Sequence, residues 1–474
     1  MLREHPLRII RYSIRNIWLL VFPLLRSLLH FRTEGIHIAR SDLFILLLIL
    51  LFGWLRWYSC TIRAEKGDLC VHRGILLRHS RYIPAQNLSA LTLEYPILLR
   101  FAGGVYLSAD TASGIAHTTD LRLFLRRQDA QRLCRLLPAI RPYGRYGFRQ
   151  KVRPWRILLF SVIFSSSFSG AVYTATLWFQ SVRIIGRLPQ QIGFPERLGE
   201  LSAQLSRQLS GIPPAAVAVG LLVFSTWFLS FVKNLLQYGC FQLETDRRML
   251  FVRSGILTKR SFFLQTERIG YIDIRQNLLT KLCRMYSLAI SCPGYGVRQG
   301  TIPVCLPILR HDEILHMLPM LFPDAAMLKN KLRPRMSAFW SYVWMPVTAI
   351  CAVIPTLLIG KRMFPAAAQL IEFLLPMTLI PLLWKIAVQL AALCTSGVSI
   401  TKTQICLRFC RGFVFHTIIA ETGHIAAAEV RCNPFQRYFG KCDLVFDFHS
   451  EQRTRCMLRN VEYERAAELV RNIR

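Results

Sequence analysis

Four basic side chains, Arg78, Arg81, Lys259 and Arg260, stand at matching places in two similar stretches of the chain. Cations beside apolar segments can hold lipid phosphates, each worth about 1 kcal/mol near an anionic surface. A third similar stretch carries Phe415 and His416 at that place, so anionic-lipid contact is expected of two stretches and not of all three. One carboxylate, Glu372, lies inside an apolar run ahead of Pro376 and Pro381. An acid beside a proline-broken membrane helix has the composition of an ion or substrate path, although near the outer end of a span it is equally an interfacial residue.

Little else has catalytic form. Ser399-Ile400-Thr401-Lys402 matches S-x-x-K, but it sits in strand-like sequence without the companion motifs of that chemistry. Gly294-Tyr295-Gly296 and Gly103-Gly104 read as turns between strands. His72, His79, His311 and His316 are dispersed, and no cysteine pair among the 14 has C-x-x-C spacing. No P-loop, zinc-protease or dinucleotide fingerprint occurs. No catalytic residue, cofactor or metal site is therefore expected, and the cysteines read as reduced packing residues.

The elements that position these residues begin with the membrane. At 53% hydrophobic and mean hydropathy +0.33, the chain is more apolar than an ordinary soluble protein. Apolar runs near the ~20 residues needed to cross hydrocarbon come in pairs. They are Asn16–Phe31 with Asp42–Trp57, Trp155–Phe179 with Pro214–Leu236, and Ala338–Ile359 with Leu370–Leu390. Arg26 makes the first the weakest. Its basic lead (Arg3, Arg8, Arg11, Arg15) is followed by no cleavage site, so it reads as an uncleaved anchor. Two crossings return the chain to its starting side, so the stretches between pairs share one face. Arg122–Arg153, dense in arginine, puts that face in the cytoplasm. The net charge of +33 follows from such juxtamembrane residues, and no nucleic-acid partner is expected. On the outer side, Arg197–Ser210 places Leu198, Leu201, Leu205 and Leu209 on one helical face, as a surface-lying amphipathic helix does.

The stretches between the pairs repeat. Arg73-Gly74-Ile75-Leu76, Ser254-Gly255-Ile256-Leu257 and Arg411-Gly412-Phe413-Val414 each place a glycine between two strand-like runs. Segments starting at Leu88, Ile269 and Ile425 then align without a gap, with Tyr95-Pro96, Gln276-Asn277 and Cys432-Asn433 at one offset. Each copy closes in an amphipathic helix, expected over Asp129–Ile140, Asp312–Leu321 and Asn460–Ile473. Internal repetition of this kind sets the architecture before any local motif does. The expected boundaries are a membrane hairpin over 1–57, a first module over 58–154, a second hairpin with the outer linker over 155–236, a second module over 237–337, a third hairpin over 338–392 and a third module over 393–474.

This order resembles the bacterial membrane proteins with pleckstrin-homology-like (PH-like) domains, of the YdbT-like type. The carrying residues are Tyr58, Arg73-Gly74-Ile75-Leu76, Ile83-Pro84, Leu88, Pro96 and Gly103; then Tyr238, Gly255, Ile269, Asn277 and Tyr286; then Gly397, Gly412, Ile425, Asn433-Pro434 and Gly440. Departures are Cys283-Arg284-Met285 where a glycine is usual, and Glu421-Thr422 in place of Ile-Pro. The resemblance implies an α+β membrane protein with about six transmembrane helices in three hairpins and three cytoplasmic PH-like small β-barrels, each closed by a C-terminal helix. It carries no catalytic residues. It implies a scaffold or accessory component of the cell envelope, with tolerance to membrane-active peptides as one such role. Expected partners are membrane lipids with anionic headgroups and other membrane proteins, a smaller PH-like membrane protein among them. The rival is a transporter with Glu372 on its path.

Overall fold

The computed structural model describes residues 2–15, 35–65, 68–75, 77–111, 120–137, 148–163, 214–246, 249–292, 304–322, 325, 327–365, 368–448 and 455–471. The chain opens with strand β1 (Leu2–Arg3), helix α1 (Arg8–Arg15) and the long helix α2 (Gly35–Tyr58). The first repeat follows as β2 (Thr61–Glu65), β3 (Asp68–Arg73), β4 (His79–Ile83), β5 (Leu88–Tyr95), the short helix α3 (Ile97–Phe101), β6 (Gly104–Thr111), β7 (Leu121–Arg126) and α4 (Arg127–Leu136). Strand β8 (Phe148–Lys151) and helices α5 (Pro154–Ile163) and α6 (Pro214–Tyr238) lead to the second repeat. That copy is β9 (Gln242–Asp246), β10 (Met249–Ser254), β11 (Lys259–Gln265), β12 (Tyr271–Asn277), α7 (Leu278–Leu282), β13 (Met285–Ser291), β14 (Val304–Arg310) and α8 (His311–Leu321). Helices α9 (Phe339–Met363) and α10 (Ala368–Thr395) precede the third: β15 (Gly397–Ile400), β16 (Gln404–Arg411), β17 (Val414–Glu421), β18 (Ile425–Arg431), α11 (Pro434–Tyr438), β19 (Lys441–Phe448), β20 (Arg455–Glu462) and α12 (Tyr463–Arg471).

Each repeat is thus three strands, three strands and a helix, with a short helix after the fourth strand. Local chemistry explains the order. Gly74, Gly255 and Gly412 turn the second strand into the third at φ of +118°, +101° and +67°, where a Cβ is disfavoured. Each short helix starts at the repeated dipeptide: Pro96 precedes α3, the Asn277 N–H donates to Thr280 Oγ1 at 2.6 Å, and the Asn433 N–H donates to Gln436 Oε1 at 3.0 Å. Each gives way to a left-handed residue, Gly103, Arg284 or Gly440. The arginine where a glycine was expected therefore keeps the same backbone. The third closing helix starts later than expected, because Asn460 (φ +59°) still belongs to β20.

Two compact units emerge, and their border does not follow the repeats. The first takes Met1–Lys151, Phe241–Ile269 and Cys292–Pro303, and the second takes Val152–Cys240, Gly270–Ser291 and Val304–Arg474. In the first unit a sheet β1-β2-β3-β4 accompanies a larger sheet β7-β6-β5-β11-β10-β9-β8. The first repeat's core lies between its own strand triplets, with Ile62, Leu69 and Val71 from one, Leu91, Leu107 and Leu123 from the other, and Ala130 and Leu133 of α4 over them. The second unit has a sheet β14-β13-β12-β17-β16-β15 and a smaller one β18-β19-β20. The larger sheets each join the last three strands of one repeat to the first three of the next. The sheet-rich module closed by a helix is present, and its sheet also continues across the repeat boundary, which covers backbone groups that an edge strand would leave open.

The basic start of the chain packs on repeat one. β1 pairs with β2, and Glu4, with no side-chain exposure, takes Arg8 at 2.5 Å and Arg73 at 3.2 Å. Helix α1 packs on α2 so closely that a Cβ on Gly53 would meet Ser13 Oγ at 2.6 Å.

Among the described residues one helix, Met336–Met363, has the length and apolarity to cross a membrane. Shorter apolar helical stretches are Leu43–Tyr58 and Leu382–Thr395. Asn16–Phe31, most of Trp155–Phe179 and the outer linker Arg197–Ser210 lie outside the described residues.

Candidate functional site

The most specific chemistry lies where one repeat is sewn to the next. In the first unit β5 and β11 run antiparallel from Tyr95↔Lys259 to Ala90↔Leu264. Glu94 stands opposite Arg260, 3.4 Å from its Nε, and 3.3 Å from Arg122 on β7. Arg122 also lies 4.2 Å over the ring of Tyr106. From α3, Arg100 donates across the seam to the Leu257 carbonyl at 2.9 Å and the Ile256 carbonyl at 3.3 Å, holding the turn that follows Gly255.

The second unit repeats the arrangement with other residues. β12 and β17 pair from Asn277↔Val414 to Ile272↔Ile419. Asp273, its side chain 3% exposed, lies 2.7 Å from Arg275 on its own strand and 3.0 Å from His416 Nδ1 on the next repeat. Burial opposes its charge, yet His416 and Arg275 outweigh that and hold the carboxyl below the usual aspartate range. Lys281 of α7, at the position Arg100 has in α3, donates to Thr395 Oγ1 at 2.8 Å and lies 4.0 Å over the ring of Phe415. Burial brings its ammonium down to about 8, with Arg408 adding to that and Cys410 opposing. Beside this seam opens a cavity of about 330 Å³. Lys281, Arg333, Arg408, His311 and His416 help line it, and among the described residues no carboxylate does, a composition suited to an anion.

The third repeat carries the same parts, and among the described strands β18 pairs with β19 alone. Glu429 and Arg431, 2.8 Å apart, repeat the places of Asp273 and Arg275. Arg437 of α11 repeats the place of Arg100 and Lys281. Exposed apolar side chains also recur in register along the short helices: Leu98 and Phe101, Leu279 and Leu282, Phe435 and Tyr438, from 51% to 89% exposed.

The lipid candidates separate in this frame. Arg78 and Arg81 are exposed on the β3–β4 hairpin, and Arg81 donates to the Asp120 carbonyl. Lys259 is exposed at the start of β11, whereas Arg260 beside it is engaged by Glu94. Glu372 falls within α10, and its side chain lies outside the described residues. Glu94 and Asp273 were given no role from sequence, and His416 stood there only as the departure from the lipid pattern. A recurring acid-x-arginine, Asp273-Ile274-Arg275 and Glu429-Val430-Arg431, was the signal that could have found the second seam. Among the described residues no group of three His, Cys, Asp or Glu side chains could hold a metal ion.

Comparison with known proteins agrees with the repeat structure. The family model described as "Bacterial PH domain" matches residues 20–139 and 198–321, each stretch taking in apolar sequence ahead of a repeat. The chain is 20% identical over 322 residues to the transmembrane protein YdbT of Bacillus subtilis (strain 168). That similarity covers 63% of this chain and 64% of YdbT's length. No solved structure matches.

Proposed function

Because the chain belongs to the bacterial PH domain family, we propose that it is a multi-pass membrane scaffold whose PH-like repeats bind by edge-strand addition and carry out no catalytic step. The observation behind this reading is the pair of seams, in which one repeat takes the edge strand of the next and an acid meets a basic side chain across it. PH-like sheets that add an extended strand gain affinity from main-chain hydrogen bonds and specificity from alternate side chains. Six spans in three hairpins, modules over 58–154, 237–337 and 393–474, and a cytoplasmic face for all three complete the reading. Arg78 and Lys259 are read as contacts for anionic headgroups, with Arg81 joining them where β4 is unpaired. The cell-level role is that of an envelope accessory protein, tolerance to membrane-active peptides included.

Topology is testable with native thiols. Cys283 and Cys432 are exposed, whereas Cys292 and Cys442 are buried and make poor reporters. An impermeant maleimide should label Cys283 and Cys432 in inverted vesicles and spare them in intact cells. Labelling of either in intact cells would contradict a cytoplasmic face.

The transporter alternative turns on Glu372. At matched membrane levels, Glu372→Gln should leave peptide tolerance unchanged, while Leu98→Asp with Phe101→Asp should reduce it to that of cells lacking the protein. Both side chains are at least 80% exposed, so that double variant should still fold. Loss of tolerance with Glu372→Gln alone would favour transport.

A further inference from the structure

Two seams in this chain follow one rule: the fourth strand of a repeat pairs with the third strand of the next. Applied to the chain's ends, the rule leaves one complementary strand over at each. β18, the fourth strand of the last repeat, pairs with β19 alone among the described strands, and its outer edge is open. β4, the third strand of the first repeat, is the edge of its own sheet and is exposed over His79–Tyr82. We propose that β18 of one molecule pairs with β4 of a second copy, so that the protein assembles head to tail through a third seam of the same kind.

The register of the internal seams determines which residues would meet. Tyr95↔Lys259, Glu94↔Arg260 and Thr92↔Phe262 carry over to Cys432↔Arg78, Arg431↔His79 and Glu429↔Arg81. Glu429 then faces Arg81 of the second copy directly, an opposite-charge cross-strand pair. It also lies diagonal to His79 of the second copy, which holds the place of His416, just as Asp273 lies diagonal to His416 in the second seam. Within the isolated molecule Glu429 is exposed and engages Arg431, as Asp273 engages Arg275. Arg437 stands where Arg100 reaches the turn after Gly255, and would reach the turn after Gly74 in the second copy. Exposed apolar side chains flank both edges: Phe435 at 82% and Tyr438 at 86% on one, Leu77 at 76% on the other. A contact between two different patches is heterologous, so it closes into a ring or continues as a filament.

This inference deepens the scaffold reading, and the experiment separates the two. Full-length Ser80→Cys and full-length Val430→Cys, carrying different tags, are mixed in lipid nanodiscs or mild detergent and oxidised. Directly opposite residues in an antiparallel pair have Cβ atoms about 4.5–5.5 Å apart, close to disulfide geometry. A cross-linked species bearing both tags is expected from the mixture and not from either variant alone or from the unmodified cysteines. Adding Glu429→Arg to the Val430→Cys chain should lower its yield about fivefold, and adding Arg81→Glu to the other chain should restore it. No cross-link above the native-cysteine background would overturn the proposal. So would a cross-link formed within one chain carrying both cysteines, or capture of a different polypeptide by Val430→Cys in cell membranes. An absent cross-link with peptide tolerance intact would remove self-assembly and leave the scaffold standing.

Discussion

Replacing Asp273 by alanine is expected to loosen the seam between the second and third repeats by about 3 kcal/mol, since removing one member of a buried charge group leaves the others without their partner. His416 and Arg275 are 17% and 18% exposed and regain some hydration, so the value sits at the low end for such losses. Hydrogen exchange should quicken across β12 and β17 and leave β2, β3 and β5 unchanged. Glu429→Ala, at the matching place in the third repeat, should leave the exchange of β12 and β17 as it was. The pH dependence has a definite sign. The Asp273 carboxyl is held below its unfolded value, so its stabilisation is present above the ordinary aspartate range and lost as pH falls through the folded value, below about pH 4. Equal exchange in the wild type and Asp273→Ala at neutral pH would remove Asp273 from the account of the seam.

Alanine at the three turn glycines should separate into two classes. A Cβ on Gly74 would fall 1.8 Å from the Leu77 carbonyl oxygen, and one on Gly255 would fall 2.1 Å from that of Thr258. Both neighbours are backbone, so relief requires the turn to move, at a cost of about 3 kcal/mol. Gly412, at φ +67° with nothing within 4 Å of a Cβ, should lose only the ~1 kcal/mol of a left-handed residue with a side chain. The third hairpin turns over the two residues between Arg411 and Val414, against five between Ser254 and Arg260 and five between Arg73 and His79, and its glycine faces open space. Thermal denaturation or protease resistance of the three variants would rank them, and equal losses would contradict these turns.

The parts of this molecule legible in its sequence are those that short-range chemistry writes. The turn glycines, the dipeptides that start α3, α7 and α11 and the closing helices all sit within a few residues of where the repeat pattern places them. The seams were hidden because pairing between β5 and β11 joins residues more than 160 positions apart, and neither strand differs in pattern from one at the edge of its own sheet. Ile272-Asp273-Ile274-Arg275 alternates apolar and polar, the pattern of a strand with one face in solvent. Its polar face suggests solvent, whereas β12 has β13 on one side and β17 on the other, and the acid is covered. Arg260 was legible as a cation and illegible as Glu94's partner for the same reason. At the N-terminus the basic run resembled the lead of an anchor. Glu4, which takes Arg8 and Arg73 in a buried cluster, reveals its role only once β1 is laid against β2.

Sharing a sheet between repeats also sets a schedule for synthesis. β5 leaves the ribosome long before β11 exists, and the apolar helices α5 and α6 are among the elements made in between. At 5–20 residues per second the roughly 160 intervening residues take on the order of 10–30 s. For that interval the nascent first repeat exposes a strand edge ready to join any neighbour, including the same strand on an adjacent polysome. Under the proposed multi-pass topology, insertion of the intervening apolar helices brings β11 back to the side of β5 before β5 meets the wrong edge. A delay there, from slow codons or a blocked insertase, should appear as aggregated nascent chains arrested between β5 and β11 rather than as degraded full-length protein.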